Sequence, residues 1–261
     1  MRCCAAAGKH DGTRLTASFE DPVKTEAQVS DQNLSIAGPR LKWAPFVAAG
    51  RQFGSQRIFD RAFKRCFDLS AAVTALMLLL PLLALFALAI WAIDGGSPFY
   101  SHRRLGRGQK SFGCLKFRTM RTDSQEALAR HLSEDPAALA EWNLTCKLKD
   151  DPRITPIGRV LRKSSLDELP QLINIIKGEM SFVGPRPIVE TEIEKYGDAA
   201  SSYFAVRPGL TGAWQVSGRS DTTYAERVRL DRQYVETQNF TGDLLIILRT
   251  IPAVFMVKGS Y

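Results

Sequence analysis

The stretch LSAAVTALMLLLPLLALFALAIWAI, residues 69–93, contains no charged side chain. A helix rises about 1.5 Å per residue, so a helix of this length can cross a hydrocarbon core of ~30 Å. The stretch therefore predicts a membrane helix. Two interpretations are open: an ordinary transmembrane anchor, or a re-entrant helix that enters the bilayer and returns to the same leaflet.

Two features favour the re-entrant helix. Pro81 stands near the middle of the stretch, where it removes a backbone hydrogen bond and bends a helix. Both flanks are also basic, whereas the positive-inside rule expects the two ends of a span to differ. The basic residues are Arg57, Arg61, Lys64 and Arg65 before the stretch, and His102, Arg103, Arg104, Arg107 and Lys110 after it. We therefore predict a membrane helix broken at Pro81.

The segments on either side of the membrane helix differ in character. Residues 1–56 are rich in Ala, Ser, Gly, Gln and charge without a sustained period, which predicts a disordered tail. RIFDRAFKRCFD, which follows, has the pattern of an interfacial amphipathic helix. The predicted organisation is a tail over 1–56, an interfacial and re-entrant helical unit over 57–98, and a catalytic domain on the membrane over 99–261.

The remainder of the chain predicts an α+β fold, predominantly helical. LLIILRTIPAVFMV, residues 244–257, is too short to span a bilayer and suits an interfacial or core helix. Short strand patterns occur at Phe99–Tyr100 and Cys114–Phe117, and helix patterns at Asp123–Leu132, Leu169–Ile176 and Tyr224–Thr237.

Composition narrows the chemistry. Lys and Arg total 35 against 27 Asp and Glu, a net charge of +8 that favours nucleic acid, an anionic membrane surface or phosphorylated substrates. The 5 cysteines show neither a disulfide framework nor zinc spacing. GxGxxG, the P-loop, HExxH and GxSxG are absent, which removes support for dinucleotide, P-loop and common hydrolase chemistry. Basic residues and carboxylates remain, and these suit phosphate chemistry.

Several basic residues are candidates for binding phosphate. In KFRTM, Lys116 and Arg118 share one face of an extended stretch. Arg186 lies in the GPRP loop, and Arg207 and Arg219 bound the Gly-rich stretch RPGLTGAWQVSGR. Such loops offer backbone N–H groups and guanidinium groups to phosphate oxygens. Taken singly, each is also compatible with a solvated strand face or a simple turn.

The stretch SSLDELPQL, residues 164–172, places two adjacent acids before a proline. One interpretation is a capping box with Ser165 as N-cap and Glu168 as its partner. The other makes Asp167 the N-cap, which puts Pro170 at the third helical position, where a missing N–H costs nothing. Gly178 is well placed to end the helix. The second interpretation is favoured.

The same stretch is also a candidate reaction centre. A helix N-terminus attracts phosphate, so Asp167 could attack a phosphorus atom there. Glu168 would hold a divalent cation such as Mg²⁺, because two carboxylates would otherwise repel a phosphate. Arg162 could add positive charge.

Together these stretches resemble the bacterial sugar transferase family, the monotopic polyprenyl-phosphate phosphoglycosyl transferases, in order over residues 57–261. The likeness is strongest to the ExoY-type members that start exopolysaccharide synthesis. The matching motifs are DGGSPFYSHRRLGRGQKSFGCLKFRTM, DDPRITPIGRVLRKSSLDELPQLINIIKGEMSFVGPRP, RPGLTGAWQVSGR, LDRQYV and the ending KGSY.

The resemblance implies a covalent ping-pong reaction. Asp167 would attack the diphosphate of a UDP-sugar, expel UMP and form an aspartyl-phosphosugar, which undecaprenyl phosphate then accepts. Glu168 matches the family's Mg²⁺ ligand, and Lys116 and Arg162 match its phosphate-contacting residues. Asp231, in the LDRQYV motif, is also assigned to the site. The family's membrane helix is re-entrant with a proline at the break.

Departures and alternatives accompany these implications. Leu80 stands where many members have a serine before the proline, and a tail stands where longer members have four more spans. Galactose-1-phosphate is the favoured group, with glucose-1-phosphate as the alternative. A phosphohydrolase and a non-catalytic scaffold in polysaccharide export are the rival functions. We expect the cytoplasmic face of the bacterial inner membrane, an anionic lipid surface and no nucleic acid, and a homodimer is considered.

Overall fold

The computed structural model describes residues 54–145, 147–217 and 222–255, with side chains from 61 to 252 within those ranges. Arg219 and residues 1–53 of the predicted tail lie outside the described residues. The helices are α1 Gly54–Asp94, α2 Ser124–Glu134, α3 Pro136–Thr145, α4 Pro156–Lys163, α5 Gln171–Lys177, α6 Ile193–Tyr196, α7 Ala200–Ala205, α8 Tyr224–Thr237 and α9 Phe240–Phe255. The strands are β1 Phe99–Leu105, β2 Ser111–Phe117, β3 Ser181–Val183 and β4 Gly209–Thr211.

Two small sheets accompany these helices. β1 and β2 form an antiparallel hairpin in which Tyr100 pairs with Lys116. β3 and β4 are parallel, with Ser181 beside Gly209. Helices dominate the described residues, so the predicted α+β, predominantly helical class is confirmed. The expected helix Tyr224–Thr237 is found with the same bounds, as α8.

Helix α1 joins the predicted amphipathic and membrane segments in one element of 41 residues. The helix continues without interruption through Pro81. The prediction that the proline breaks the helix is therefore wrong. A proline inside a long apolar helix bends it without ending it when the flanking turns hold. The helix ends at Asp94, where Gly95 has a φ of +68°, a conformation open to glycine.

One side of α1 packs on the rest of the molecule and the other is bare. Ala72, Leu76 and Leu79 pack beside α5, and further along Leu83 and Ile90 pack against Phe117 and Leu161. The opposite side exposes large apolar side chains. These are Met77, Leu78, Leu80, Leu85, Leu88 and Trp91. By length and composition the helix is long and apolar enough over Arg61–Asp94 to cross a membrane. Only 11% of an 18-residue apolar stretch within it is buried.

The N-terminal part of α1 is tied to the globular part by polar contacts. Lys64 Nζ lies 2.6 Å from Asp243 Oδ2 on α9. Arg65 donates to the backbone carbonyls of Ile175 at 2.7 Å and Ile176 at 2.9 Å, at the end of α5. These contacts use carbonyl groups in the last turn of α5, where a helix leaves backbone acceptors available, and the Ile175 carbonyl also accepts the N–H of Gly178 at 3.0 Å.

The C-terminal end of α1 is tied to the same body. Asp94 accepts from Arg118 at 2.5 Å and from the backbone N–H of Thr122 at 3.1 Å. Gly96 lets the chain pass close to Arg118, because a Cβ there would collide with the guanidinium group. Both ends of the apolar helix therefore attach to one globular unit.

Candidate active site

Four charged side chains from three separate segments meet beside α5. Lys116 Nζ of β2 lies 2.7 Å from Glu168 Oε1 and 3.7 Å from Asp167 Oδ2. Arg186, in the loop after β3, reaches Glu168 Oε1 at 3.1 Å. We call Lys116, Asp167, Glu168 and Arg186 the carboxylate cluster. The sequence prediction named all four residues, and the fold brings them together.

The local structure of SSLDELPQL differs from both cap predictions. Leu166–Glu168 form one 3₁₀ turn, and α5 begins after Pro170, which is itself the N-cap residue. Ser165 takes a left-handed φ of 57° and its side chain makes no capping bond. Asp167 as N-cap and the Ser165 capping box are therefore both wrong. Gly178, with a φ of 81°, does end the helix as predicted.

Packing explains why the turn replaces a helix start. Leu166 and Leu169 at the ends of the turn pack into the apolar cluster that contains Phe117 and Leu161. Burying these two leucines turns the intervening acids toward β2. The carboxylates are consequently used for contact with Lys116 and not for capping α5.

Asn174 fixes β2 against α5 and was missed from the sequence. It is 1% exposed, accepts from the N–H of Leu115 at 3.0 Å and donates to the carbonyl of Gly113 at 2.8 Å. Because Lys116 follows Leu115 in β2, this clamp sets where the lysine meets the acids. A polar residue on the apolar side of a helix pattern is the signal that could have revealed it.

Arg162 belongs to the same neighbourhood through Thr119. Its Nε donates to Thr119 Oγ1 at 2.8 Å. The backbone of Thr119 lies so close to α4 that a Cβ on Gly158 would collide with the Thr119 carbonyl. Arg162 also lies near enough to Asp167 to influence its ionisation. The positive charge of Arg162 acts to lower the pKa of Asp167, and its role in the site stays a prediction.

The two acids have opposite electrostatic environments. Burial raises the pKa of the Asp167 carboxyl, and Lys116 offsets only part of that rise. Burial would also raise the pKa of Glu168, but Arg186 and Lys116 together outweigh it and lower that pKa to about 2. A pair of neighbouring acids with separated pKa values divides into two roles, one ionised partner and one more basic group.

The carboxylate cluster fits a magnesium ion only with help from a substrate. Among the residues that the structure describes, no group of three or more His, Cys, Asp and Glu side chains is placed to hold a metal. Mg²⁺, however, commonly takes one or two carboxylates and completes its shell with substrate phosphates and water. Both recorded contacts of Glu168 use Oε1, so the donor set of Asp167 and Glu168 suits that arrangement.

Other predicted phosphate ligands lie elsewhere. Arg118 follows the end of β2 and binds Asp94, so it is not on one continuous strand face with Lys116. Arg207 donates to the carbonyl of Gly178 at 2.7 Å, at the far end of α5.

Asp231 is buried in a separate aromatic cluster. Tyr196 donates to its Oδ2 at 2.8 Å, and no partner for its Oδ1 is found in the described part of the chain. Burial raises the pKa of Asp231 to about 6, against opposing effects of Tyr196 and Arg227. Its role in the site stays a prediction.

The fold and the site together indicate the class of protein. It is a membrane-associated enzyme that holds two carboxylates against basic side chains, and this arrangement suits phosphorylated substrates. The sequence model of the family described as "Bacterial sugar transferase" matches residues 59–257. The chain belongs to that family. The resemblance noted in the sequence is confirmed.

Three relatives make the comparison more specific. The chain is 53% identical over 208 residues to "Exopolysaccharide production protein ExoY" of Rhizobium meliloti, covering 80% of this chain and 92% of that protein. It is 49% identical to "UDP-galactose-lipid carrier transferase" of Erwinia amylovora, covering 77% of this chain and 42% of that protein. It is 47% identical to "Undecaprenyl-phosphate galactose phosphotransferase" of Salmonella typhimurium, covering 77% and 42% respectively.

Proposed function

We propose that this chain moves galactose-1-phosphate from a UDP-sugar to undecaprenyl phosphate, releases UMP and thereby starts exopolysaccharide synthesis. The observation that carries the proposal is the carboxylate cluster, in which Asp167 and Glu168 face Lys116 and Arg186. The names of the three relatives supply the sugar, the lipid carrier and the polysaccharide.

In the first half of the reaction, Asp167 attacks the phosphorus that carries the sugar. A carboxylate oxygen bonds to phosphorus, and the bond to the oxygen bridging the two phosphates breaks. UMP leaves with that oxygen and its electron pair, and Asp167 carries a phosphosugar. Lys116 and Arg186 stabilise negative charge on the phosphoryl oxygens.

In the second half, an oxygen of undecaprenyl phosphate attacks the same phosphorus. The bond to Asp167 breaks, the carboxylate is regenerated, and undecaprenyl diphosphate-sugar leaves. Two displacements at one phosphorus let one nucleophile serve a soluble donor and a lipid acceptor in turn. The raised pKa of the Asp167 carboxyl makes it more basic than an exposed aspartate, which suits the attacking group.

We further propose that Glu168, with Asp167 beside it, holds Mg²⁺. The ion would offset charge on the diphosphate when it is bound. Lys116 and Arg186 keep the pKa of Glu168 low, so its carboxylate is ionised and ready to act as a ligand. Chelation should abolish UMP release and added Mg²⁺ should restore it. With UMP present, Mg²⁺ should also raise the melting temperature of the natural chain and have less effect on Glu168→Gln.

The placement in the membrane is a second part of the proposal: α1 is re-entrant and bends at Pro81. Support comes from its attachment at both ends to the same globular unit, through Lys64 and Arg65 at one end and Asp94 at the other. A helix that crossed the bilayer would carry one of these ends, and the groups bound to it, to the opposite side.

The proposed location is the cytoplasmic face of the inner membrane, where UDP-sugars are available and where anionic lipid attracts a chain of net charge +8. The division into units at 57–98 and 99–261 and a homodimer remain predictions. Cysteine labelling at the two ends of residues 69–93 in intact cells should report the same side. Opposite sides would restore the ordinary transmembrane anchor.

The assay that tests the transfer is UMP release from a panel of UDP-sugars with undecaprenyl phosphate present. UDP-galactose should give the fastest release. A preference for UDP-glucose would keep the mechanism and change the sugar. Release of inorganic phosphate without a lipid product would favour a phosphohydrolase, and no release from any donor would favour the scaffold.

A further inference from the structure

A second basic site lies where α1 begins to pack on the globular part. Four of its side chains recur at a spacing of three or four residues on one face of α1, and two arginines come from other segments. Together they line a cavity of about 60 Å³. The lining residues that matter here, called the basic groove, are Arg61, Lys64, Arg65, Asp68, Arg107 and Arg207.

The charges of the basic groove are not balanced by acids. Lys64 is paired with Asp243 at 2.6 Å. Asp68 accepts the backbone N–H of Phe182 at 3.2 Å. Within the described residues, Arg61, Arg65, Arg107 and Arg207 form no ion pair at or below 4.0 Å. Several cations thus share one cavity with a single carboxylate that lines it.

Two of these arginines are held in place by uncharged groups. Arg65 donates to the carbonyls of Ile175 and Ile176, and Arg207 donates to that of Gly178. The contacts fix the side chains, and the carbonyl oxygens offset only part of their positive charge. Burial lowers the pKa of Arg207, and the positive charges of Arg65 and Arg107 add to this effect. An anion in the groove would relieve that crowding.

The basic groove is separate from the carboxylate cluster. Glu168 lies just before α5, whereas Arg65 and Arg207 bind carbonyls at its other end. The 7 residues of α5 separate the two sites by roughly 10 Å along the helix. A phosphate in the groove is therefore out of reach of Asp167.

The surroundings of the groove indicate a lipid ligand. Its α1 residues lead directly into the apolar part of that helix, and Phe63, Leu69 and Val73 are exposed beside them, with Phe63 57% exposed. Acyl chains can pack on such side chains while a phosphate stays at the level of the arginines. A soluble anion would gain nothing from this apolar neighbourhood.

We propose that the basic groove binds the phosphate headgroup of an anionic phospholipid in the leaflet that holds α1, apart from the substrates of Asp167. The proposal rests on the membrane placement of α1 and not on the transfer chemistry. It assigns the N-terminal part of α1 a specific lipid contact in addition to general attraction by net charge.

The test uses the full chain in a neutral detergent and measures thermal unfolding. Short-chain phosphatidylglycerol should raise the melting temperature by a few degrees, because a ligand that binds only the folded state stabilises it. Short-chain phosphatidylcholine, which has no net charge, should not. Inorganic phosphate is the third probe, and it distinguishes a free anion from a lipid headgroup.

The decisive variant is Arg61→Gln combined with Arg107→Gln. Both side chains are exposed and hold no helix end, unlike Arg65 and Arg207, so the fold should survive. The matched control is Lys147→Gln combined with Lys149→Gln, which removes the same charge from exposed positions elsewhere. The phosphatidylglycerol shift should fall at least threefold in the groove variant and persist in the control.

Three results would overturn the proposal. The first is an equal phosphatidylglycerol shift in the groove variant and the control. The second is no shift in the natural chain. The third is an equal shift with inorganic phosphate, lost in the groove variant, which would make the ligand a free anion. None of these readouts uses turnover, so failure of the UMP assay leaves the lipid test intact.

Discussion

The charged side chains at the two ends of α5 are balanced differently. At the N-terminal side, Asp167 and Glu168 are held in ion pairs with Lys116 and Arg186. At the C-terminal side, Arg65 and Arg207 are fixed by backbone carbonyls, and Asp68 is the one acid among the groove residues named above. One end is internally neutralised and the other keeps surplus positive charge.

This difference suits two different functions. Neutralised groups can exchange partners. In the proposed reaction Lys116 and Arg186 would turn from Glu168 to phosphoryl oxygens, and the Glu168 carboxylate would be available to hold a metal ion. Surplus positive charge instead favours a bound anion, because Asp68 is the one acid among the named groove residues and several cations share the cavity with it. The proposed transfer chemistry at one end of α5 and the proposed lipid binding at the other correspond to this contrast.

Asp167→Asn should have the largest effect, because it should abolish catalysis at the carboxylate cluster and leave lipid binding at the basic groove intact. The amide keeps the shape of the side chain and cannot form the acyl phosphate, so UMP release should fall by at least about 10³-fold. The variant should still bind membranes and keep its phosphatidylglycerol shift. Unchanged turnover would remove Asp167 from the mechanism.

Lys116→Met should have the next largest effect. Lys116 forms ion pairs with both acids, and its loss leaves Glu168 with Arg186 as its ion-pair partner among the described residues. We expect UMP release to fall about 10²-fold, as for loss of one charge-stabilising group. Lys177→Met, at the opposite end of α5, is the control and should retain most of the activity. Equal rates in the two variants would contradict the assignment.

Asn174→Ala tests the rigid link between strand and helix. It removes the partners of the Leu115 N–H and the Gly113 carbonyl, and one or two unsatisfied backbone groups cost about 1–3 kcal/mol each. The free energy of unfolding should fall by about that amount, and turnover should fall with it because Lys116 is less well placed. Denaturant unfolding in detergent measures the change in stability. Loss of turnover with an unchanged free energy of unfolding would contradict the role of Asn174 in holding β2 against α5.

Asp231→Asn should have an effect of the opposite sign, a rise in the free energy of unfolding at neutral pH. Because the pKa of Asp231 in the fold is about 6, the carboxyl favours folding below its ordinary pKa, and this contribution is lost as pH rises toward 6. The asparagine variant should be more stable than the natural chain above pH 6, by roughly 3 kcal/mol for a shift of two pH units. Equal stability of the two proteins at pH 5 and pH 8 would contradict the burial of a charged group.

Local patterns predicted elements better than they predicted contacts. The period of α8 and the uncharged run of α1 were readable because a helix repeats its apolar face over many residues. The SSLDELPQL turn was not, since Leu166 and Leu169 are placed by the distant residues Phe117 and Leu161. Motif resemblance assigned roles to Asp167, Glu168 and Lys116, and the GPRP loop pattern named Arg186. The partners of Arg118 and Arg207, by contrast, depend on tertiary packing that no local pattern records.

The covalent step at Asp167 is the central claim, and intact-protein mass measurement tests it most directly. The natural chain, incubated with UDP-galactose and Mg²⁺ but without lipid acceptor, should gain the mass of one phosphohexose. Peptide mapping should place that mass on Asp167, and undecaprenyl phosphate should remove it. Asp167→Asn should gain nothing. An adduct on another residue, or lipid-linked product formed without any adduct in a rapidly quenched reaction, would contradict the account.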